Sequence, residues 1–384
     1  YNAYICLMKN KIDINPDILT WAVKRAGYNV DDFIPVFPEF KDWLDKNKKP
    51  TFRQLQDFAR KVHVPFGYLF LQQPPKEELP IPFYRTTKNH FDNVSVNLYD
   101  TVLRVKQRQE WLTEYLKDNE FEPLSFVGKY NIHGDYQVIA SDIRKILGLD
   151  EQWASYFPNW EEALDYLTQK IEDTGIIVIF NSVVGNNTHR PIDVEECRGF
   201  VLVDNYAPFM FINAADSKAA QMFTILHELA HIWTGESAGF DFRQLQPADD
   251  PIEKLCDKTA AEFLVPYTSF EEHWTGKKEY KYLSKYFKVS PIVIARRALD
   301  LGKITRDEFF SFYNEYMASI KNKKQNQPGG GDFYRTARKR ISPTFAAHVD
   351  HAVKSGQLLY RNAYKLTDLK GDTFHKFFKD YMYS

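Results

Sequence analysis

Two histidines four residues apart, with a glutamate directly after the first, are the residues of this chain best suited to chemistry. They are His227, Glu228 and His231, in the run A-A-Q-M-F-T-I-L-H-E-L-A-H-I-W-T-G from Ala219 to Gly235. On an α-helix, positions i and i+4 lie one turn apart on the same face, so both imidazoles can reach one zinc ion. Glu228 follows the first histidine at a spacing that can bring its carboxylate beside a metal-bound water, as in a metal-dependent hydrolase. The competing reading is a chance match on a core helix. Phe223, Leu226, Ala230 and Trp233 make the helix apolar on most sides and mark it as buried. Polar groups buried there cost free energy unless something compensates them, and a metal would compensate all three at once.

Catalytic zinc commonly keeps three protein ligands and one open position, so a third ligand is expected nearby. After the loop Gln244 to Asp250, a helix is expected from Pro251 to Val265, stopped by Pro266. It opens with E-K-L-C-D. Glu253 is the candidate third ligand, and Asp257, at i+4 on the same face, could accept the other ring N–H of a ligating histidine. Glu253 also reads simply as a first-turn acid favoured by the helix macrodipole. Glu262 and Glu236 are weaker ligand candidates, and Cys256 reads as a small core residue. Tyr267 and His273 are near in sequence, but nothing marks either as an oxyanion partner.

Elements must position these groups. Asn15-Pro16 opens a helix reaching Ala26-Gly27, two short helices follow over Val30 to Phe37 and Glu39 to Lys46, and Thr51 caps a clearer one. Several short helices in so short a stretch suggest a helix-turn-helix module, with a plain helical packing domain as the alternative. The segment P-E-F-K-D-W-L-D-K-N would enter the DNA groove, yet its Glu39, Asp42 and Asp45 disfavour phosphate. Gln73 to Pro82 is a proline-rich connector, and Asn93 to Asn119 reads as one long amphipathic helix. Helices at Ser141 to Leu147 and Trp160 to Thr174 come next. Three short β-branched and aromatic runs follow, Ile176 to Phe180, Gly199 to Val203 and Phe209 to Ile212, the last two joined by the hairpin connection D-N-Y-A-P. The loop Asn181 to Glu196 is long and polar. The metal helix begins near Asp216. The strand before it, Phe209 to Ile212, is expected to offer a free edge to an extended substrate. Helices over 268–274, 279–287, 290–301 and 305–321 lead to the linker-like Lys321 to Gly331, and the remainder carries three small helical patterns.

The 384 residues, 44% hydrophobic and 26% charged, fit an ordinary globular protein of more than one domain. A formal net charge of −1 gives no global case for nucleic acid or an anionic membrane. From Lys321 onward, however, 13 Lys and Arg face 5 Asp, most densely in R-T-A-R-K-R at 335–340, so DNA contact stays open there. Cys6, Cys197 and Cys256 are too few for a disulfide framework or a cysteine-type zinc site. No apolar run approaches a membrane span, and the first residues lack a signal-peptide pattern. The missing initiator Met points to a trimmed or incomplete start. A cytoplasmic location is expected.

Three blocks then resemble the ImmA/IrrE family of zinc metallopeptidases: G-F-V-L-V-D-N-Y-A-P-F-M-F-I-N-A-A-D, F-T-I-L-H-E-L-A-H-I-W and I-E-K-L-C-D-K-T-A-A-E-F-L-V-P. The resemblance implies His227, His231 and Glu253 as zinc ligands and Glu228 as catalytic acid/base. It implies an α+β, predominantly helical fold, with a zincin-like core holding a small three-stranded sheet between helical N- and C-terminal modules. W-L-D-K-N-K-K-P-T-F-R-Q-L is similar to the Xre-like helix-turn-helix that often precedes such peptidases, and G-G-G-D-F-Y-R-T to the tail of longer members. The expected division is 1–75 helix-turn-helix-like, 76–135 connector and bracing helix, 136–325 peptidase, and 326–384 basic helical module. Family members cut a repressor or antitoxin-like partner protein, commonly in phage, mobile-element or stress regulation. The alternative function is a DNA- or protein-binding regulator whose metal site is idle or structural.

Overall fold

Capping and breaking residues set most helix ends. A computed structural model describes residues 11–77, 94–240, 250–276, 279–321 and 332–382. Residues 78–82 of the connector Gln73 to Pro82, residues 244–249 of the loop Gln244 to Asp250, nearly all of Lys321 to Gly331, and Cys6 lie outside the described residues. The chain divides into two compact units, Tyr1–Pro80 with Asn89–Val102, and Ile81–Lys88 with Leu103–Ser384.

The first unit holds α1 (Pro16–Arg25), α2 (Val30–Phe33), α3 (Glu39–Leu44) and α4 (Phe52–Lys61), then a 3-10 turn at Phe66–Phe70. Asn15 caps α1 through the Asp17 N–H, and Thr51 and Gln54 form a reciprocal capping box on α4. Phe33, Phe40, Trp43 and Phe58 pack edge-on and stacked at its centre. The buried Arg25 guanidinium is held by Glu77 at 2.7 Å, Asp100 at 3.3 Å and the His63 carbonyl. The helix expected to face a DNA groove is α3, only six residues long. Phe40 and Trp43 turn into the core, leaving Glu39, Lys41 and Asp45 exposed, while Asp42 pairs with Lys48 at 2.6 Å.

The boundary between units falls inside α5 (Val96–Asp118). The second unit continues through α6 (Tyr136–Leu147) and α7 (Trp160–Glu172) to a sheet. Its strands are β1 (Ile177–Asn181), β4 (Gly199–Leu202), β5 (Phe209–Asn213) and β6 (Ala238–Phe240), in the order β1-β5-β4-β6. β1 runs parallel to β5, and the other pairs are antiparallel. The three expected strands are there, and a short fourth lengthens the sheet. β1, β4 and β5 are buried at every position, which is why they read as unbroken apolar runs. The polar loop Asn181 to Glu196 contains a small ribbon, β2 (Val183–Val184) with β3 (Asn187–Pro191).

β5 is a central strand with partners on both sides, so the free edge expected along Phe209 to Ile212 does not exist. The β4–β5 connection is pinned instead. Gln109 on α5 donates to the Leu202 and Ala207 carbonyls, and Asp204 accepts from Thr113 Oγ1 and from the Tyr206 and Ala207 N–H groups. Beyond the sheet come α8 (Lys218–Thr234), α9 (Pro251–Leu264), α10 (Tyr267–His273), α11 (Tyr280–Phe287), α12 (Pro291–Asp300) and α13 (Arg306–Lys321). The tail adds α14 (Phe333–Ile341), α15 (Pro343–Lys354), α16 (Tyr360–Thr367) and α17 (Gly371–Asp380), four helices where three are expected. The fold is α+β and predominantly helical. Among the described residues no helix is long and apolar enough to cross a membrane.

Candidate metal centre

α8 is clamped at both ends. Ser217 caps its start through the Ala220 N–H, and Gly235 ends it with φ +78°. The Gly128 and Tyr130 N–H groups donate to the Ile232 and Trp233 carbonyls at 2.9 and 3.0 Å. A Cβ on Gly235 would meet Gly128 Cα at 3.0 Å, so this close approach requires glycine. Trp233 stacks on Phe126 and donates to Asp142. From Gln221 to Thr234 every residue of the helix is buried.

His227 and His231 then face one another across a turn, Nε2 to Nε2, at 3.2 Å. α9 packs alongside, capped by Asp250 and opened by Pro251, and carries Glu253 in its first turn. Glu253 Oε2 lies 3.1 Å from His227 Nε2, and Oε1 lies 3.2 Å from His231 Nε2. The second approach is short in distance but not aligned as a hydrogen bond, since Oε1 has no bonded partner. One turn on, Asp257 Oδ1 lies 2.9 Å from His227 Nδ1. With the His227 Nδ1 proton donated to Asp257, Nε2 presents a lone pair toward the other two groups.

This arrangement fits a cation. Ligand atoms bound tetrahedrally at roughly 2.0–2.1 Å lie roughly 3.3–3.4 Å apart, close to the three short edges seen here. Two imidazole nitrogens and a carboxylate turned toward one point can all ligate a cation once the ring nitrogens facing it give up their protons. The three residues form a buried group able to hold a metal, their donor atoms all within 4.8 Å of one another. Asp257→Asn is expected to leave the triad in place and weaken metal affinity about 10–100-fold, read by competition against a chelator.

Electrostatics separate the groups. Burial disfavours a charged His227, yet Asp257 and Glu253 outweigh it and raise its pKa to about 10. Burial, and then the neighbouring His227, hold His231 below its usual value. For Glu253, burial acts upward but the hydrogen bonds and charges of the two histidines prevail and lower it. Burial and the negative Glu253 push Glu228 well above the ordinary carboxylate range, only partly offset by His227. Both Glu228 oxygens are buried and lack a hydrogen-bond partner among the described residues.

Glu228 faces β4. A Cβ on Gly199 would lie 3.3 Å from Glu228 Oε1, 3.0 Å from the Phe211 carbonyl and 2.6 Å from Thr224 Cγ2. Gly199→Ala is therefore expected to cost about 1–3 kcal/mol, seen as a lower urea midpoint. The weaker ligand candidates stand elsewhere. Glu262 pairs with buried Arg297, while Glu236 is exposed. Arg144 holds the Glu262 and Phe263 carbonyls at the end of α9. Cys256 is buried in the core. Tyr267 is 47% exposed, and His273 meets the Ser269 carbonyl through Nδ1.

Residues 171–299 match the family model of the IrrE N-terminal-like domain, a peptidase family. That span runs from the end of α7 to α12 and contains the whole triad, Glu228 and Asp257. Peptidase chemistry at the level of that family is thus the class to which the core is similar. A second family model, a domain of unknown function (DUF8813), matches residues 341–380. No curated protein matches the chain.

Proposed function

We propose that this chain is a zinc-dependent endopeptidase of narrow specificity, with His227, His231 and Glu253 as ligands and Glu228 as general acid/base. The observation carrying the reading is the Glu228 carboxylate, buried without a partner beside three converging donors. An idle or structural site has no use for such a group, which costs stability wherever it is left unsatisfied. Two imidazoles and one carboxylate are the donor set of a hydrolytic zinc site with a position left open. Bound there, the ion would supply Lewis acidity toward a peptide carbonyl and lower the pKa of a water molecule.

The protein's own groups do the rest. Glu228 Oε1 or Oε2 takes the proton of the attacking water and passes it to the departing amine nitrogen. Asp257 keeps His227 in one tautomer and one orientation. A positive charge at the triad would also draw Glu228 back toward its ionised form, the form a base needs. His227, Glu228 and His231 are fully buried, which supports a substrate able to open the site rather than any unfolded chain. A repressor or antitoxin-like regulator, cut by one dedicated peptidase, is the class proposed.

The test compares new protein N-termini in cells producing the wild-type chain with cells producing Glu228→Gln, alongside the product of the neighbouring reading frame. One or a few cleavage sites confined to the wild-type cells are expected. Identical profiles in both would overturn the proposal.

A further inference from the structure

The last three helices take no part in the metal centre. α16 and α17 are separated by only Asp368, Leu369 and Lys370, with α15 preceding them. Two short helices joined by a three-residue turn, braced by another helix, have the layout of a helix-turn-helix. The turn is sharply built. Asp368 is left-handed at φ +56° and Gly371 has φ +50°. Leu369 is buried in the bend. Ala363 and Leu366 of α16 and Phe374 and Phe377 of α17 are buried, and the Tyr364 ring meets Phe374 at 5.1 Å.

Charge is sorted across this motif. Asp368 turns inward to Arg104 at 2.7 Å and Arg108 at 3.2 Å. On the solvent side Arg361, Lys365, Lys370, Lys376 and Lys379 are exposed, and none of them has an ion-pair partner among the described residues, although Lys376 Nζ lies 5.2 Å from the centre of the Tyr334 ring. Only Asp372 and Asp380 oppose them on these two helices. On α17, His375, Lys376 and Lys379 stand at i, i+1 and i+4, adjoining positions on its outer side. Tyr360, 50% exposed, lies against the His375 ring at 5.4 Å.

We propose that α15–α17 is a helix-turn-helix that binds duplex DNA, with α17 in the major groove and Arg361, Lys365 and Lys370 on the phosphates. A ten-residue helix with imidazole and ammonium donors on its outer face suits base edges, and the unpaired cations beside it suit a regular polyanion. The denser basic run at 335–340 is a poorer candidate. Lys339 pairs with Asp165 at 2.7 Å, Arg340 meets Asn186 Oδ1, and α14 packs on β1.

The test uses the full chain and a random-sequence duplex pool, enriched by repeated capture and then measured by fluorescence anisotropy between about 50 and 200 mM salt. Enrichment of a defined site is expected. Arg361→Ala with Lys365→Ala should lower the salt slope by about 2, whereas His375→Ala with Lys376→Ala should weaken the selected site about tenfold or more while sparing random DNA. All four positions are exposed, and circular dichroism should show the fold unchanged. The inference is overturned if no site enriches, if both double variants bind like wild type, or if single-stranded DNA or polyglutamate competes as well as duplex.

Discussion

Glu228→Gln is expected to bind one equivalent of divalent metal as the wild type does, and to lower kcat/KM by about 10²–10⁴. The amide matches the carboxylate in shape but cannot take a proton from water. Burial and Glu253 already disfavour the charged form of Glu228 in the metal-free chain, so a neutral amide in the same place should leave the thermal midpoint near its original value. His227→Ala behaves differently. It removes one corner of the triad and strips Asp257 of its partner, so metal content should fall together with cleavage. Metal analysis of dialysed protein, set beside cleavage of the co-expressed partner, separates the two. A Glu228→Gln protein that cuts at the wild-type rate would remove Glu228 from the chemistry.

The parts of the site legible in sequence were those with a short period. His227 and His231 share a helix face by spacing alone, and Asp257 follows Glu253 by the same rule. That α9 lays Glu253 against both histidines depends on how two helices pack, which no local pattern encodes; the residue order offered Glu253 beside a first-turn-acid reading, and the likeness to a peptidase family implied the same residue. Strand order is similarly non-local. β4 and β5 pair through a short turn and could be read directly, but β1 adds in parallel from a distance and closes the far edge of β5. β3 escapes notice because N-T-H-R-P is polar and mostly exposed, without an apolar alternation, and β6 because three residues are too few to carry one. The tail shows a related blindness. Its charge pointed to R-T-A-R-K-R, yet Lys339 pairs with Asp165 and Arg340 with Asn186 there, while the sparser cations of α16 and α17 stand in solvent without ion pairs among the described residues.

Glu172 was likewise invisible in sequence, and it carries the largest expected effect on stability. It sits at the end of α7, and its Oε1 accepts from Ser342 Oγ at 2.5 Å and from the Val178 N–H at 3.4 Å. Ser342, at φ +75°, ends α14 and caps α15 through the Phe345 N–H, so this carboxyl ties the sheet to the corner between those helices. Burial raises its pKa from 4.5 to about 7, against the smaller opposing pull of the Ser342 hydrogen bond. In the unfolded chain the group ionises near its ordinary value. Between these limits the unfolded state gives up the proton that the folded state still holds, so stability falls as pH rises from about 4.5 to about 7. The shift corresponds to about 3 kcal/mol, fully felt above the folded pKa and absent well below the unfolded one. Glu172→Gln keeps an acceptor for Ser342 and Val178 but cannot ionise. Urea midpoints across that window should therefore decline for wild type and stay flatter for the variant, which becomes the more stable protein near pH 8. Parallel curves would mean that the buried carboxyl keeps its proton no better than the unfolded chain does.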